Sequence, residues 1–118
     1  MAESLNHLTQ RLIDFRDERN WRQFQGLKNL IVSLNLEATE MLELTQWKND
    51  DEVENALSNV DFKNKLEEEC ADVLLYLLMI GERAGIDLVD VASNKIDLNG
   101  KKYPIDKSHG NARKYTEF

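Results

Sequence analysis

Two pairs of acidic residues stand in the most apolar parts of the sequence. Glu37 and Glu40 lie within "NLEATEMLELTQW", and Glu69 and Asp72 lie within "EECADVLLYLLMI". Residues three apart on an α-helix project from one face, with Cβ atoms about 5 to 6 Å apart. A carboxylate removed from water must be paired, neutralised or bound to a metal. Two such pairs on facing helices would surround one space with four carboxylates, which we call the acidic quartet.

The chemistry of the acidic quartet is that of a site for a hard cation. Carboxylate oxygens suit Mg²⁺, with Mn²⁺ as a substitute, and Mg²⁺ typically also takes waters and substrate phosphates as ligands. A di-iron bundle would require Glu-x-x-His pairs. Neither His7 nor His109 follows a glutamate by three residues, which disfavours iron and zinc centres. The alternative is that these acids are surface residues with one buried ion pair.

Aromatic residues recur beside the acidic pairs at helical spacing. Trp47 follows Glu37 by ten residues, and Tyr76 follows Asp72 by four, so each ring is expected on the face of its acidic pair. Together with Trp21, these rings could enclose a planar group whose phosphates extend to bound metals. Taken singly, an aromatic residue at such spacing is more often part of a core, and that interpretation stays open.

Composition limits the classes of partner. The 22 acidic and 15 basic residues give a net charge of −7, which argues against binding to nucleic acid or to an anionic membrane surface. The charge is uneven, because residues 95–114 carry six basic and two acidic residues, a net of +4, which leaves −11 for the rest. An acidic body and a basic C-terminal segment would suit cations and phosphates respectively.

Cysteine content and hydropathy bear on location. The single cysteine, Cys70, excludes an intramolecular disulfide, and the N-terminus has neither the basic start nor the apolar run of a signal peptide. The longest apolar run, residues 73–80, is eight residues long, too short to span a bilayer. The sequence therefore predicts a cytoplasmic protein without a membrane partner.

Hydrophobic periodicity predicts an all-α domain that occupies residues 1–118. The expected helices run from about Leu5 to Arg19, over residues 27–46, from Asp61 as N-cap to Ala84, and from about Leu88 to Ile96. The stretch "KNDDEVENALSN" is interpreted as a polar link. From Leu98 onward, turn-forming residues predict an extended C-terminal tail. The domain is thus expected to be a four- to five-helix bundle.

The third of these helices is apolar around nearly its whole circumference, because residues 73–75 and 77–80 are all apolar. A helix that is apolar on every side must be covered on every side. A four-helix domain supplies about two of the neighbours that this requires. We therefore expect a homo-oligomer, a dimer or a dimer of dimers that would make a homotetramer, with central burial inside one monomer as the alternative.

The acidic segments and their surroundings resemble a known family. The segments "LEATEMLELTQWK" and "LEEECADVLLYLL" are similar to the E-x-x-E and E-x-x-D motifs of the MazG-like all-α nucleoside triphosphate pyrophosphatases. "FRDERNWRQF", "NLIVSLNLEATEMLELTQWK", "KIDLNGKKYP" and "ARKYTEF" resemble the dCTP pyrophosphatase branch of this family. The resemblance covers almost the whole chain, and the combination of motifs is specific.

The resemblance implies Mg²⁺-dependent hydrolysis of a nucleoside triphosphate between its α and β phosphates, which yields the monophosphate and pyrophosphate. Substrate and quartet are both anionic, so binding requires metal ions between them, and these also activate the attacking water. The quartet matches the family's metal ligands, and Glu40 and Glu69 are the expected catalytic carboxylates, with Glu40 as the proton acceptor. The positions that match substrate contacts are Trp21, Arg22, Gln23, Phe24, Gln25, Trp47 and Tyr76. The basic segment adds Lys95, Asn99, Lys102 and Tyr103 as candidates for neutralising the triphosphate, with a solvated tail as the alternative.

The chain departs from the dCTP pyrophosphatase pattern at two positions. Leu12 stands where that branch has a substrate-contacting histidine, and Gln25 replaces a histidine of some relatives. A preference for dCTP or related dNTPs is expected. A dUTPase-like or broad dNTP specificity is an alternative within the enzyme class. The alternative outside it is a non-catalytic helical oligomer that binds nucleotides, and the intact acidic quartet favours the enzyme.

Overall fold

The computed structural model describes residues 3–118, and this part of the chain contains helices and no β-strand. The all-α prediction is confirmed. The α-helices are α1 (Leu5–Glu18), α2 (Leu27–Glu43), α3 (Asp50–Ala56), α4 (Val60–Ala84), α5 (Leu88–Lys102) and α6 (Ile105–Ser108). Short 3-10 helices cover Arg22–Phe24 and Tyr115–Glu117. None of the helices in the described range is both long enough and apolar enough to cross a bilayer.

The chain forms two compact units, of which one ends at Gly85 and the other comprises Ile86–Phe118. In the first unit, α4 packs against both α2 and α1. Its fully buried apolar residues are Leu30 on α2 and Leu78 and Met79 on α4. The acidic quartet lies on the same two helices, α2 and α4, so the packing that forms this small core also brings the acids together.

Side-chain caps account for several helix boundaries. The Asn59 side chain accepts a hydrogen bond from the Phe62 backbone N–H at 3.0 Å and starts α4, so the predicted cap at Asp61 is displaced by two residues. Gly85 ends α4 in the left-handed conformation, with φ of 67°, which glycine adopts without steric cost. This end agrees with the prediction.

Helix α3 lies in the stretch that the sequence analysis interpreted as a polar link, and that interpretation is wrong. Asn49 and Glu52 form a capping box. The Asn49 side chain accepts a hydrogen bond from the Glu52 backbone N–H at 2.9 Å, and the Glu52 side chain accepts one from the Asn49 backbone N–H. The acidic first turn, residues 50–52, also favours this helix, because negative charge is stabilised at a helix N-terminus.

The second unit is more helical than expected. Helix α5 continues through Asn99-Gly100 to Lys102, and α6 follows directly after Pro104. The predicted extended tail is therefore wrong for residues 98–102 and 105–108. One glycine inside a helix costs only about 1 kcal/mol relative to alanine. At the end of α5, the Tyr103 ring packs edge-on against Tyr115 at 5.8 Å and Phe118 at 5.7 Å.

Candidate metal and nucleotide site

The structure brings three members of the acidic quartet to one point between α2 and α4. Carboxylate oxygens of Glu37, Glu40 and Glu69 all lie within 4.8 Å of one another. Glu37 and Glu69 are partly buried, whereas Glu40 is exposed. Three oxygens at this spacing, with one carboxylate open to solvent, are suited to bind a divalent cation that keeps some of its waters.

The electrostatics of the cluster indicate an uncompensated negative charge. Hydrogen bonding to Glu40, burial and the charges of Glu40, Asp72 and Glu69 raise the pKa of Glu37 from 4.5 to about 7. Burial and the charge of Glu40 also raise the pKa of Glu69. In both residues Oε2 is buried and has no hydrogen-bond partner within residues 3–118. Such atoms require a proton or a cation, so the site fits a metal ion.

The raised pKa of Glu37 predicts how pH affects the metal-free protein. Between about pH 4.5 and 7 the folded state holds more protons than the unfolded state, so the Glu37 contribution to stability is complete below pH 4.5 and is lost as pH rises through 7. A cation competes with that proton, so stabilisation by Mg²⁺ should increase over the same range. We expect the Tm difference with and without Mg²⁺ to grow from pH 5.5 to 8.

This pH prediction is checked by thermal unfolding with chelator or with Mg²⁺, in wild type and in Glu37→Gln. Glutamine does not titrate, so the Tm of metal-free Glu37→Gln should fall less than that of the metal-free wild type as pH rises. Glu54→Gln, an exposed acid on α3, should reproduce the wild-type pH dependence. A wild-type Tm difference that does not depend on pH would contradict the assignment.

A cavity of about 150 Å³ in the same unit is bordered by Asp72, whose charge acts on Glu37 in the cluster of Glu37, Glu40 and Glu69, the acidic cluster. Its lining combines apolar and aromatic side chains with few polar ones, namely Leu12, Phe15, Trp21, Gln25, Asp72, Leu75, Tyr76 and Met79. Asp72 belongs to the acidic quartet, and it is exposed. This residue therefore joins the acidic cluster to a pocket that suits an aromatic ring.

The walls of this aromatic pocket are held by contacts between side chains. Trp21 meets Phe15 edge-on, with ring centroids 5.8 Å apart. The Arg19 guanidinium covers the Phe15 ring at 3.6 Å. The Oε1 atom of Gln25 is buried and has no hydrogen-bond partner in the described part of the chain. The pocket thus has two rings packed edge-on, and one of its lining residues carries a buried hydrogen-bond acceptor without a partner.

Other predicted site residues lie outside this pocket. Arg22, Gln23 and Phe24 form the exposed 3-10 helix after Trp21. The helical alignment expected for Trp47 is wrong, because α2 ends at Glu43 and Trp47 follows in a turn with φ of 68°. Its side chain is 92% exposed and does not line the pocket.

The candidates for phosphate binding all lie in the second unit. Lys95 and Asn99 are exposed on α5, Lys102 ends that helix, and Tyr103 is its C-cap. Lys95, Asn99 and Lys102 are spaced at i, i+4 and i+7, which places them along one helix face. Lys102 Nζ lies 4.9 Å from the centroid of the Tyr115 ring.

Sequence reasoning missed some of the pocket. Phe15 on α1 and Leu75 and Met79 in the apolar run of α4 were not among the predicted site residues, and Leu12 was considered only as the position of a family histidine. Their spacing does not distinguish a core residue from a pocket wall. The available signal was the spacing of Asp72, Leu75, Tyr76 and Met79, which at i, i+3, i+4 and i+7 share one face of α4.

Comparison with known proteins identifies the family. The MazG-like family model matches residues 32–118. The chain belongs to the MazG-like family. The dCTP pyrophosphatases 1 of Mus musculus and Homo sapiens are each 38% identical to it over 105 residues, which is 89% of this chain and 62% of theirs. The chain therefore spans about three fifths of the length of these curated relatives.

A solved structure of similar sequence has the same fold. The crystal structure of a pyrophosphatase from Archaeoglobus fulgidus superposes with a TM-score of 0.80 at 37% sequence identity, covering 88% of this chain and 95% of that one. The superposition thus supports the all-α architecture, and the family model and the relatives support the membership of the MazG-like family.

Proposed function

We propose that this protein is a metal-dependent nucleoside triphosphate pyrophosphohydrolase of the nucleotide-pool housecleaning type, converting (d)NTP to (d)NMP and pyrophosphate. The observation that carries the proposal is the position of Asp72, which borders both the acidic cluster and the aromatic pocket. A nucleotide is a planar ring joined to a chain of phosphates, and these two adjacent environments match its two halves. The names of the relatives, dCTP pyrophosphatase 1 and pyrophosphatase, support the same reaction class.

The metal ligands in this proposal are Glu37, Glu40, Glu69 and Asp72, and the cation is Mg²⁺, with Mn²⁺ as a substitute. The two orphaned oxygens, Glu37 Oε2 and Glu69 Oε2, support that assignment. A bound divalent cation supplies Lewis-acid chemistry, because it neutralises phosphate charge and lowers the pKa of water. Glu40 is the exposed carboxylate of the cluster, which supports it as the acceptor of the proton of the attacking water. We propose Glu69 as the second catalytic carboxylate.

The base is held by the aromatic pocket. Trp21 and Tyr76 provide ring surfaces for stacking. A cavity of about 150 Å³ resembles in size an engineered protein cavity that binds benzene, so it suits one six-membered ring, a pyrimidine. The unpartnered Gln25 Oε1 would accept a hydrogen bond from an exocyclic amino group such as that of cytosine. We therefore propose dCTP or a related cytosine nucleotide as the preferred substrate.

The remaining contacts complete the proposed substrate set. Arg22, Gln23 and Phe24 follow Trp21 directly and would line the approach to the pocket. Lys95, Asn99, Lys102 and Tyr103 would neutralise the triphosphate, as the basic charge of residues 95–114 suggests. Trp47, which is 92% exposed, would contact the base only after another surface covers it.

A panel of canonical and modified nucleotides tests the reaction. With Mg²⁺ and equal concentrations of dCTP, dUTP, dTTP, dATP and dGTP, we expect pyrophosphate and the monophosphate as products, with dCTP giving the highest kcat/KM. Pyrophosphate and orthophosphate must be measured separately, before any pyrophosphatase is added. Release of orthophosphate from the γ position would contradict the proposal.

The same panel separates the alternatives. Similar kcat/KM values for all bases would indicate a broad dNTP pyrophosphatase, and a preference for dUTP would indicate a dUTPase-like enzyme. Saturable binding of nucleotides without turnover in the presence of Mg²⁺ would indicate the non-catalytic binding protein.

We also propose that the working protein is a homo-oligomer, a dimer or a dimer of dimers. Within residues 3–118 only Leu30, Leu78 and Met79 are buried large apolar residues. On α2, by contrast, Leu36 is 60% exposed and Leu42 is 67% exposed. On α4, Leu74 and Leu77 are each 38% exposed. Apolar area of this extent is typical of surfaces that another protein covers.

Light scattering at micromolar concentration checks the oligomer. We expect a mass of two or four times the 13.7 kDa of one chain. Leu42→Glu, which places a charge on an apolar residue that is 67% exposed, should shift the mass downward, whereas Leu5→Glu on α1 serves as a comparison outside α2. A wild-type mass of 13.7 kDa would contradict the proposal.

A further inference from the structure

Arg16 on α1 is the one polar or charged residue that is buried in the part of the chain that the structure describes, with 5% of its surface exposed. Its guanidinium donates from Nη1 to Glu82 Oε2 on α4 at 3.0 Å and from Nε to Asp17 Oδ1 at 2.9 Å. The hydrogen bond to Asp17 and the charge of Glu82 raise the pKa of the guanidinium, so it stays charged. The contact with Glu82 joins residues 66 positions apart.

Burial of an ion pair is weak support for stability, because desolvation offsets most of the attraction between the charges. What such a pair does supply is a directional contact, since the charge-assisted hydrogen bond from Arg16 Nη1 to Glu82 Oε2 constrains the relative placement of α1 and α4. The pair between Arg16 and Glu82 therefore bears on how α1 is placed against α4.

The pair lies on the same two helices as several residues that line the aromatic pocket. Phe15, which precedes Arg16, and Met79, which precedes Glu82 by one helical turn, both line that pocket. The backbone carbonyl of Arg16 also accepts a hydrogen bond from the Trp21 N–H at 3.1 Å. Arg16 thus bonds to α4 with its side chain and to Trp21 with its backbone carbonyl.

The path from Arg16 to Trp21 contains a sharp reversal that needs support. Asn20, between them, has φ of 54°, a left-handed conformation that costs energy for a residue other than glycine. The Asn20 N–H bonds to the Asp17 carbonyl at 3.0 Å, and the Arg19 N–H bonds to the Arg16 carbonyl at 3.2 Å. The last turn of α1 therefore sets where the Trp21 ring lies.

We propose that Arg16, through its ion pair with Glu82, is a positioning residue that fixes Phe15 and Trp21 against α4 and so sets the geometry of the base pocket. Arg16 is buried and does not line the pocket. The inference rests on the proposed function for its kinetic readout only, because the placement of Trp21 can be measured in the free protein.

Kinetics distinguish positioning from simple stabilisation. A residue that only stabilises the fold lowers the active fraction, which reduces apparent kcat and leaves KM unchanged. A residue that positions Trp21 changes binding of the base, which appears mainly in KM. For Arg16→Met and Glu82→Ala we expect KM for dCTP to rise about three- to tenfold, as for other coupled neighbours, with kcat of the folded enzyme within about twofold. Inhibition by inorganic triphosphate, which has no base, should not change.

Two further variants make the comparison specific. Glu82→Gln keeps an oxygen acceptor of the same shape and should retain a KM near that of wild type. Arg11→Met is the matched control, since Arg11 lies on the same helix, pairs with Glu3 at 2.7 Å, is exposed and does not line the pocket. Should Arg16→Met fail to fold, the difference between Glu82→Ala and Glu82→Gln carries the test.

Fluorescence provides a readout that does not depend on activity. In a Trp47→Phe background Trp21 is the single tryptophan, and Arg16→Met should shift its emission to longer wavelength and increase its quenching by acrylamide, whereas Arg11→Met should not. A folded Arg16→Met protein with unchanged KM and unchanged Trp21 emission would overturn the inference. Absence of nucleotide hydrolysis by wild type would instead count against the proposed function, and the fluorescence comparison would still decide the role of Arg16.

Discussion

Replacing Glu40 by glutamine or Asp72 by asparagine is expected to lower kcat by about two to three orders of magnitude while the protein remains folded. Each substitution removes one ligand charge and keeps the shape of the side chain. Stabilisation of charge in the transition state by a bound metal amounts to several kcal/mol, and each 1.36 kcal/mol is about tenfold in rate. Both residues are exposed, so neither substitution opens a cavity in the core.

The metal-free stability of these variants should move in the opposite direction. Glu40 and Asp72 both contribute to the raised pKa of Glu37, which means that their charges repel it in the folded state. Removing either charge should raise the Tm of the chelator-treated protein at pH 8. Glu67→Gln is the matched control, because Glu67 is an exposed acid two residues before Glu69 and should leave both kcat and Tm nearly unchanged.

Kinetics, metal titration and thermal unfolding of the four proteins check this prediction together. Variants that unfold, or that retain full kcat with the same requirement for Mg²⁺, would show that the acids have a structural role. Partial recovery of Glu40→Gln activity at high Mg²⁺ concentration would indicate weaker metal binding, whereas no recovery would indicate loss of the proton acceptor. Both of the latter outcomes agree with the proposed site.

Trp21→Ala is expected to raise KM for dCTP more than it lowers kcat. Stacking of a base on an aromatic side chain is worth about 1 to 3 kcal/mol by alanine substitution, which corresponds to about five- to 150-fold in KM. The interaction is largely the same in the ground state and the transition state, so it affects binding more than the chemical step. Trp21 lines the pocket and contacts Phe15, which supports its role as one wall of the base site.

Fluorescence and a second substitution complete this test. Nucleotide added with Ca²⁺, which we expect to support binding without turnover, should quench Trp21 emission, and inorganic triphosphate should not. Trp47→Ala should raise KM only if a neighbouring subunit covers that exposed side chain, so its effect should disappear in a variant that is monomeric. Unchanged KM and base preference in Trp21→Ala would show that the ring is part of the core and that the base is bound elsewhere.

Local signals in the sequence were sufficient for much of the first unit. Gly85 marked the end of α4 correctly, whereas the start, predicted at Asp61, lies two residues earlier at the Asn59 cap. Both ends depend on hydrogen bonds or backbone conformations within a few residues. The pairs Glu37/Glu40 and Glu69/Asp72 were recognisable because the 3.6-residue period places residues three apart on one face. The all-α class, the family motifs and the two acidic pairs are all properties of this local kind.

Local signals failed where helices begin or end without apolar periodicity. Helix α3 is short and acidic, and its capping box was hidden in a polar stretch. The alignment of Trp47 with Glu37 assumed a helix that in fact ends at Glu43, before the ring. Both errors have one physical reason, namely that hydrogen bonds at helix ends can outweigh the average preference of the surrounding residues.

The sequence by itself determined which residues could bind a cation and which helices carry them, because both depend on residue type and on helical spacing. Only the tertiary structure decided that three carboxylates from α2 and α4 meet within 4.8 Å, that Asp72 borders the aromatic pocket, and that Arg16 pairs with Glu82. These relations join residues far apart in the chain. They arise because α4 buries Leu78 and Met79 between its neighbours, and it is this packing that selects one alignment of the helices among those that their sequences allow.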